Sequence, residues 1–290
     1  MRISGQTRPY AVLGHPISHS LSPVMHNAAF QALGMDALYL AFDVPPERLI
    51  PTLTALRELG FGGVNLTIPL KETAFAGLTD LDDTARRFRA VNTVRFTPDG
   101  FQGFNTDGQG ILRALRESFD LSLRDCDVFI LGCGGAGRAV ALMCAAEGAA
   151  RIRLAGRTAA RSEQVAEEIR ALAPHVCVTT HSLTDAPQAC YAAQLAIQST
   201  SVGLKPGDSS LLPSAAFHPG QWAYDLIYHV PETPWMAAAA QAGAHTANGL
   251  GMLLHQGAEA FTIWTGREAP VAVMRRALED ALYQKITPGA

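Results

Sequence analysis

Charge is scarce in this chain. Only 17% of its 290 residues are charged, the net charge is −3, and no cluster of lysine and arginine is interleaved with aromatic residues. A nucleic-acid surface requires such a basic footprint, so that class of partner is excluded. Cysteine is scarce too: Cys126, Cys133, Cys144, Cys177 and Cys190 form no C-x-x-C pair. An odd set with that spacing predicts reduced thiols in a reducing compartment, not a disulfide framework or a metal site. His15 and His19 lie four apart, but in a proline-containing loop with no nearby carboxylate, so no metal is expected there either. No apolar run approaches the ~18 residues that a bilayer span needs. The opening Met1-Arg-Ile-Ser-Gly-Gln-Thr-Arg-Pro9 lacks the apolar core of a secretory signal. The expectation is a cytoplasmic protein with no membrane partner. Repeats and low-complexity tracts are also missing. What is present is 48% apolar content over a length that suits about two domains.

The most informative stretch is Asp127-Val-Phe-Ile-Leu-Gly-Cys-Gly-Gly-Ala-Gly-Arg138. Val128 to Leu131 reads as a buried strand, Gly132, Gly134, Gly135 and Gly137 crowd a turn, and helical spacing resumes from Ala139. A turn of this kind brings bare backbone close to a ligand, with helix N–H groups and the positive end of the helix dipole facing a diphosphate. The turn from Gly132 through Ala136 to Gly137 is therefore read as a dinucleotide-binding site. An NAD-binding unit would place an acid after the next strand, Arg151 to Ala155. This chain instead has Gly156-Arg157-Thr158 and then Arg161. Guanidinium and hydroxyl donors suit a 2′-phosphate, which favours NADP over NAD. The plainer reading makes these arginines the solvated start of a helix from Ala159 to Leu172.

Taken in order, the chain begins with a strand from Tyr10 to Leu13 and the loop Gly14-His-Pro-Ile-Ser-His-Ser-Leu-Ser22. A helix follows, with Ser22 as its N-cap and Pro23 as its first residue. Ser20 and Ser22 place two hydroxyls beside that helix start. The pair reads equally as plain capping chemistry or as a carboxylate site. Strand Ala37 to Asp43, helix Pro46 to Leu59 and strand Gly63 to Thr67 continue the alternation that predicts a parallel sheet. Lys71 falls at the start of a short helix, whose dipole disfavours the ammonium form, so proton transfer is open to it; an ordinary surface lysine is the alternative. A polar helix is expected around Asp80 to Arg89. Val91 to Phe96 and Gly100 to Phe104 then flank a Pro-Asp turn as a hairpin at an antiparallel edge. Asp107 reads as the cap of the next helix. Residues 108–248 carry the glycine turn and the strands Val176 to Thr180, Leu195 to Gln198 and Trp222 to Ile227, a doubly wound pattern. Helices from Leu250 to Trp264 and Val271 to Tyr283 are expected to return to the first domain. The expectation is thus an α/β chain of two domains. Residues 1–107 and 249–290 build a mixed, mostly parallel sheet, and residues 108–248 a Rossmann-type domain.

Seven ordered motifs resemble the shikimate dehydrogenase family along the whole chain. They are Gly14-His-Pro-Ile-Ser-His-Ser-Leu-Ser-Pro23, Asn65-Leu-Thr-Ile-Pro-Leu-Lys71, Ala90-Val-Asn-Thr93, Asn105-Thr-Asp-Gly108, Gly132-Cys-Gly-Gly-Ala-Gly137, Asp225-Leu-Ile-Tyr228 and Asn248-Gly-Leu-Gly-Met-Leu-Leu-His-Gln256. The resemblance implies NADPH-dependent reduction of 3-dehydroshikimate to shikimate on the route to aromatic amino acids, by a monomer or homodimer. It implies Lys71 and Asp107 as the catalytic pair, with Ser20 and Ser22 on the substrate carboxylate and Thr67, Asn92, Tyr228 and Gln256 on the ring hydroxyls or carboxylate. For the cofactor it implies the glycine turn, Arg157, Thr158 and Arg161, with Asp83, Leu226 and Gly249 near the nicotinamide. Two departures from the family pattern stand out. Gly156 stands where asparagine is usual, and Gln198-Ser199 where asparagine-alanine is usual. A quinate/shikimate dehydrogenase with NAD use, and a non-catalytic metabolite sensor, are the alternatives. A sensor would be expected to have lost Lys71 or Asp107, and both are present.

Overall fold

The computed structural model describes residues 3–205 and 207–283. The chain forms two compact units, one made of residues up to Gly110 together with those from Leu253 onward, the other of Ile111–Met252. The first contains β1 (Arg8–Gly14), α1 (Ser22–Ala32), β2 (Ala37–Asp43), α2 (Leu49–Glu58), β3 (Gly63–Leu66), α3 (Leu70–Gly77), β4 (Asp80–Leu81), α4 (Asp83–Phe88), β5 (Thr93–Thr97), β6 (Gly100–Phe104) and the start of α5 (Asp107–Phe119). The sheet order is β2-β1-β3-β5-β6-β4. β1 lies parallel between β2 and β3, and the β5–β6 hairpin joins antiparallel to β3. Leu13, Leu49, Leu53, Val64 and Leu70 belong to the core of this unit.

Three expectations are corrected here. The hairpin is not the edge, because β4 pairs parallel with β6 outside it. β4 was hidden in what read as one polar helix. The Asp82 carboxylate accepts the Ala85 N–H at 2.8 Å and caps α4, which holds the helix start at Asp83 and frees Asp80 and Leu81 to pair. The helix expected from Pro46 opens with a 3₁₀ turn, Pro46–Arg48, before α2.

The second unit contains β7 (Asp127–Leu131), α6 (Gly135–Ala146), β8 (Arg151–Ala155), α7 (Ala159–Leu172), β9 (Cys177–His181), α8 (Ala186–Tyr191), β10 (Leu195–Gln198), β11 (Trp222–Asp225), α9 (Pro234–Gln241), β12 (His245–Asn248) and the start of α10 (Leu250–Thr265). Its strands all pair parallel in the order β12-β11-β10-β7-β8-β9. Read from β9, this is the doubly wound dinucleotide-binding order, which reverses at β7 and β10 and leaves a ligand crevice at their C-terminal ends. β7 is central and fully apolar from Val128 to Leu131, as a strand buried on both faces must be. β12 was not foreseen. Its His-Thr-Ala-Asn sequence is polar and half-exposed, without apolar alternation. Strand β11 stops at Asp225, two residues short of the expected end.

The closing helices belong with the first unit from Leu253 on. The Phe261 and Trp264 rings lie 5.3 Å from Phe30 and 5.4 Å from Tyr10, and α11 (Val271–Tyr283) packs on α1 with Met274 and Leu278 buried. Among the described residues no helix is long and apolar enough to cross a membrane.

Candidate active site

In the first unit the loops leaving β1 and β3 lie together at the strands' C-terminal ends. The Thr67 N–H donates to Leu13 C=O at 2.9 Å, and the His15 N–H to Ile68 C=O at 3.2 Å. The β3 loop delivers Lys71 as the second residue of α3. Its Nζ donates to Asp107 Oδ2 at 2.6 Å, with the Lys71 side chain 29% and the Asp107 side chain 11% exposed. The other oxygen, Asp107 Oδ1, accepts from Asn92 Nδ2 at 2.9 Å, and that same amide donates to Thr106 Oγ1 at 2.9 Å. Gln256 Oε1 lies 3.5 Å from Asn92 Nδ2. The reading of Asp107 as a helix cap is therefore corrected. Asp107 is the first residue of α5, its oxygens face Lys71 and Asn92, and the Gly110 N–H bonds Thr106 C=O instead. The result is a lysine fixed by a carboxylate that is itself held.

Ser22 is corrected as well. It begins α1 itself, the cap position is Leu21, and no side chain caps the helix. The Ser22 N–H points to Ser20 Oγ at 3.4 Å, and the Ser22 side chain lies beside Tyr39. Ser22 is buried and Ser20 partly so. Sequence reasoning passed over Tyr39 and gave Asn65 no role. The available signal was Asn65 itself, a polar side chain in the otherwise apolar strand Gly-Val-Asn-Leu. Asp83 stands apart from this cluster, fully exposed on α4 with Arg86 at 3.3 Å.

In the second unit the glycine turn has the geometry its spacing suggested. Gly132 has φ +104°, a conformation that side chains resist, and a Cβ on Gly137 would sit 2.0 Å from Gly132 C=O. Gly134 and Gly135 face open space. Helix α6 starts at Gly135, four residues before the resumption of apolar spacing, and its cap residue Gly134 has no side chain to take the free N–H groups. Those groups are left for an anion. Beside the turn, a cavity of about 350 Å³ is lined by Gly156, Arg157, Ser162, His181 and Ser182, among others. Arg157, Thr158 and Arg161 are exposed. Thr158 holds the α7 cap position without a side-chain cap bond, and among the described residues neither arginine is ion-paired. Free guanidinium and hydroxyl donors fit a dinucleotide carrying a 2′-phosphate.

Both departures from the family pattern have local consequences. A Cβ at position 156 would approach Ser162 Oγ to 3.2 Å. The Ser199 hydroxyl lies 2.8 Å from Gly132 C=O and 3.0 Å from Leu131 C=O, so it braces the glycine turn. Gln198 folds its loop, donating to Val202 C=O at 3.0 Å and accepting from the Thr200 N–H. Further along, the Gly249 N–H bonds Ile227 C=O at 3.0 Å, which brings Gly249 against Leu226. Tyr228 is half-buried, stacks on His229 at 4.3 Å, and has its hydroxyl pKa raised by burial. Burial also pushes the Asp225 carboxyl up to about 6, against hydrogen bonds from Thr233 (2.6 Å) and the Ile227 N–H (3.0 Å). Among the described residues no group of His, Cys, Asp and Glu is arranged to hold a metal.

Family models match along the chain: a shikimate dehydrogenase substrate binding domain over residues 12–94, a shikimate/quinate 5-dehydrogenase domain over 113–204, and a shikimate 5′-dehydrogenase C-terminal domain over 249–279. The shikimate dehydrogenase (NADP(+)) of Moorella thermoacetica is 45% identical, covering 97% of this chain and 96% of that protein. That of Methanopyrus kandleri is 43% identical over 97% and 98%. The chain belongs to the shikimate dehydrogenase family. The fold agrees. The family member from Thermus thermophilus, solved in complex with NADP(H) and shikimate, aligns with a TM-score of 0.83 at 39% identity, covering 95% of this chain and 100% of that one.

Proposed function

We propose that this chain catalyses the reversible NADPH-dependent reduction of 3-dehydroshikimate to shikimate, in the biosynthesis of aromatic amino acids, as a cytoplasmic monomer or homodimer. The observation that carries the reading is the Lys71–Asp107 pair at 2.6 Å, with Asn92 gripping the second carboxylate oxygen. When bound, the cofactor supplies a hydride to the carbon of the ring ketone. Lys71 gives a proton from Nζ to the ketone oxygen as charge grows there, so the alcohol leaves neutral and lysine is left to regain its proton from solvent. Asp107 orients Lys71 and accepts from a ring hydroxyl. Ser20 and Ser22 hold the substrate carboxylate, and Thr67, Asn92, Tyr228 and Gln256 bond its remaining oxygens. In this reading residues 1–107 and 249–290 form the substrate domain and 108–248 the cofactor domain.

On the cofactor side, Gly132, Gly134, Gly135, Ala136 and Gly137 cradle the diphosphate, and Arg157, Thr158 and Arg161 hold the 2′-phosphate. Asp83, Leu226 and Gly249 serve the nicotinamide end. The named activity of the relatives and the unpaired arginines support NADP over NAD, and the open N-terminus of α6 suits the diphosphate that both cofactors share. The test is initial-rate oxidation of shikimate and of quinate, each with NADP and with NAD. Turnover confined to shikimate with NADP is the expected result. Turnover with quinate or NAD would place the chain in the dual-specificity branch, and no turnover in any combination would overturn the assignment.

A further inference from the structure

Behind Asn92, the first unit holds a buried chain of hydrogen bonds whose further members, Tyr39, Asn65 and Thr93, take part in no step above. Tyr39 on β2 is 1% exposed, yet its hydroxyl donates to Asn65 Oδ1 at 2.7 Å. The direction of this bond is set by the rest of the amide. Asn65 Nδ2 is committed to Asn92 C=O at 3.2 Å and Thr93 Oγ1 at 3.0 Å, so the oxygen must face Tyr39. Thr93 passes its own proton to Asn92 Oδ1 at 3.0 Å, and that oxygen also accepts the Thr106 N–H at 2.8 Å. Asn92 is thereby held at both its backbone carbonyl and its side-chain oxygen, which leaves Nδ2 aimed at Asp107. At the other end, Tyr39 spends its one proton on Asn65. The Tyr39 ring is clamped by His26, stacked at 4.3 Å and 9°.

We infer that Tyr39 is a positioning residue, whose hydroxyl acts through Asn65 and Asn92 on the Lys71–Asp107 pair. This rests on the reading of the site given above. Asn65, Asn92, Thr93 and Thr106 are all 5% exposed or less, so the chain runs without solvent to absorb a misplacement. In such surroundings, losing one member leaves its neighbours unsatisfied and free to turn.

The test uses Tyr39→Phe, which keeps the ring on His26 and deletes only the hydroxyl. Asn65→Ala, the double variant and Lys71→Ala are measured in parallel. Tyr39→Phe is expected to lower kcat about tenfold, the size of one buried hydrogen bond. The NADP KM should stay unchanged. Because both residues act through one chain, the double variant should lose no more kcat than Asn65→Ala alone. A core variant of the same unit outside the network, Leu53→Ala, controls for plain destabilisation and should lower Tm while keeping kcat at 25 °C. Wild-type kcat in Tyr39→Phe, fully additive losses in the double variant, or an equal kcat loss in Leu53→Ala would each overturn the positioning role. Wild-type turnover in Lys71→Ala would instead overturn the reading of the site beneath it.

Discussion

The two functional regions are built on different principles. Around Lys71 the specification lies in side chains: buried amides, hydroxyls and a carboxylate satisfy one another before any ligand arrives. At the glycine turn it lies in backbone. Gly134 and Gly135 present bare N–H groups, while Arg157 and Arg161 wait exposed. In the proposed reading, proton transfer would tolerate little misplacement, and packing and mutual bonds hold these groups in place. Recognition of a diphosphate would need a surface of N–H groups and a dipole, which a turn without side chains offers. The first region should therefore respond to single substitutions in rate, the second in cofactor affinity.

The largest expected effect follows directly. Lys71→Ala should lower kcat about a thousandfold, the range for removal of a general acid. Shikimate binding should remain measurable by calorimetry. If both fell together, the lysine would be a binding group and the contrast with the glycine turn would weaken.

Next comes pH, where the two units should oppose each other. His26, fully buried and stacked in the first unit, has its pKa lowered to about 3 because burial disfavours the charged ring. The unfolded chain then binds a proton below about 6.5 that the folded chain refuses, so stability is lost as pH falls, by about 1.4 kcal/mol per pH unit. Asp225 in the second unit is shifted the other way, from 3.8 to about 6. Between those values the folded state holds a proton that the unfolded state releases, so stability is lost as pH rises, by about 3 kcal/mol in all. Urea unfolding across pH 4 to 6 should show a nearly flat wild type, with Asp225→Asn uncovering a gain of stability with pH and His26→Phe a loss. Unchanged slopes in both variants would remove this contrast.

A smaller effect is expected at the 2′-phosphate. Arg157→Ala should raise the NADP KM about tenfold, the loss of one charge-assisted contact, with little change for NAD. Equal effects on the two cofactors, read by initial rates, would sink the phosphate assignment. Smallest is Ser199→Ala, which deletes the brace on Gly132 C=O and Leu131 C=O and should cost about 1 kcal/mol of stability with a few-fold rise in NADP KM. An unchanged thermal midpoint would show that the brace is incidental.

Local patterns were legible where a single physical rule governs a short stretch. The β7 apolar run, the Gly132 to Gly137 turn and the Ala159–Leu172 helix needed only strand burial, glycine freedom and helical spacing. Strands β4 and β12 were not legible, because each is short and polar and becomes a strand only through its neighbour. Capping at Ser22 was misread for a related reason. Serine before Pro23 has the right chemistry for a cap, but the helix begins at Ser22 itself, whose side chain is buried and makes no cap bond.

Residue order alone therefore settled the alternation of strand and helix, the glycine turn and the cationic stretch after β8, since these depend on neighbours within a few positions. Family membership was likewise legible in the ordered motifs. The partners of Asp107, the Asn65–Asn92 grip and the bond from Tyr39 to Asn65 were decided only by the fold. They join residues from Tyr39 to Asp107 that share no local pattern, and in a buried interior each polar group must find its bond wherever packing places a partner.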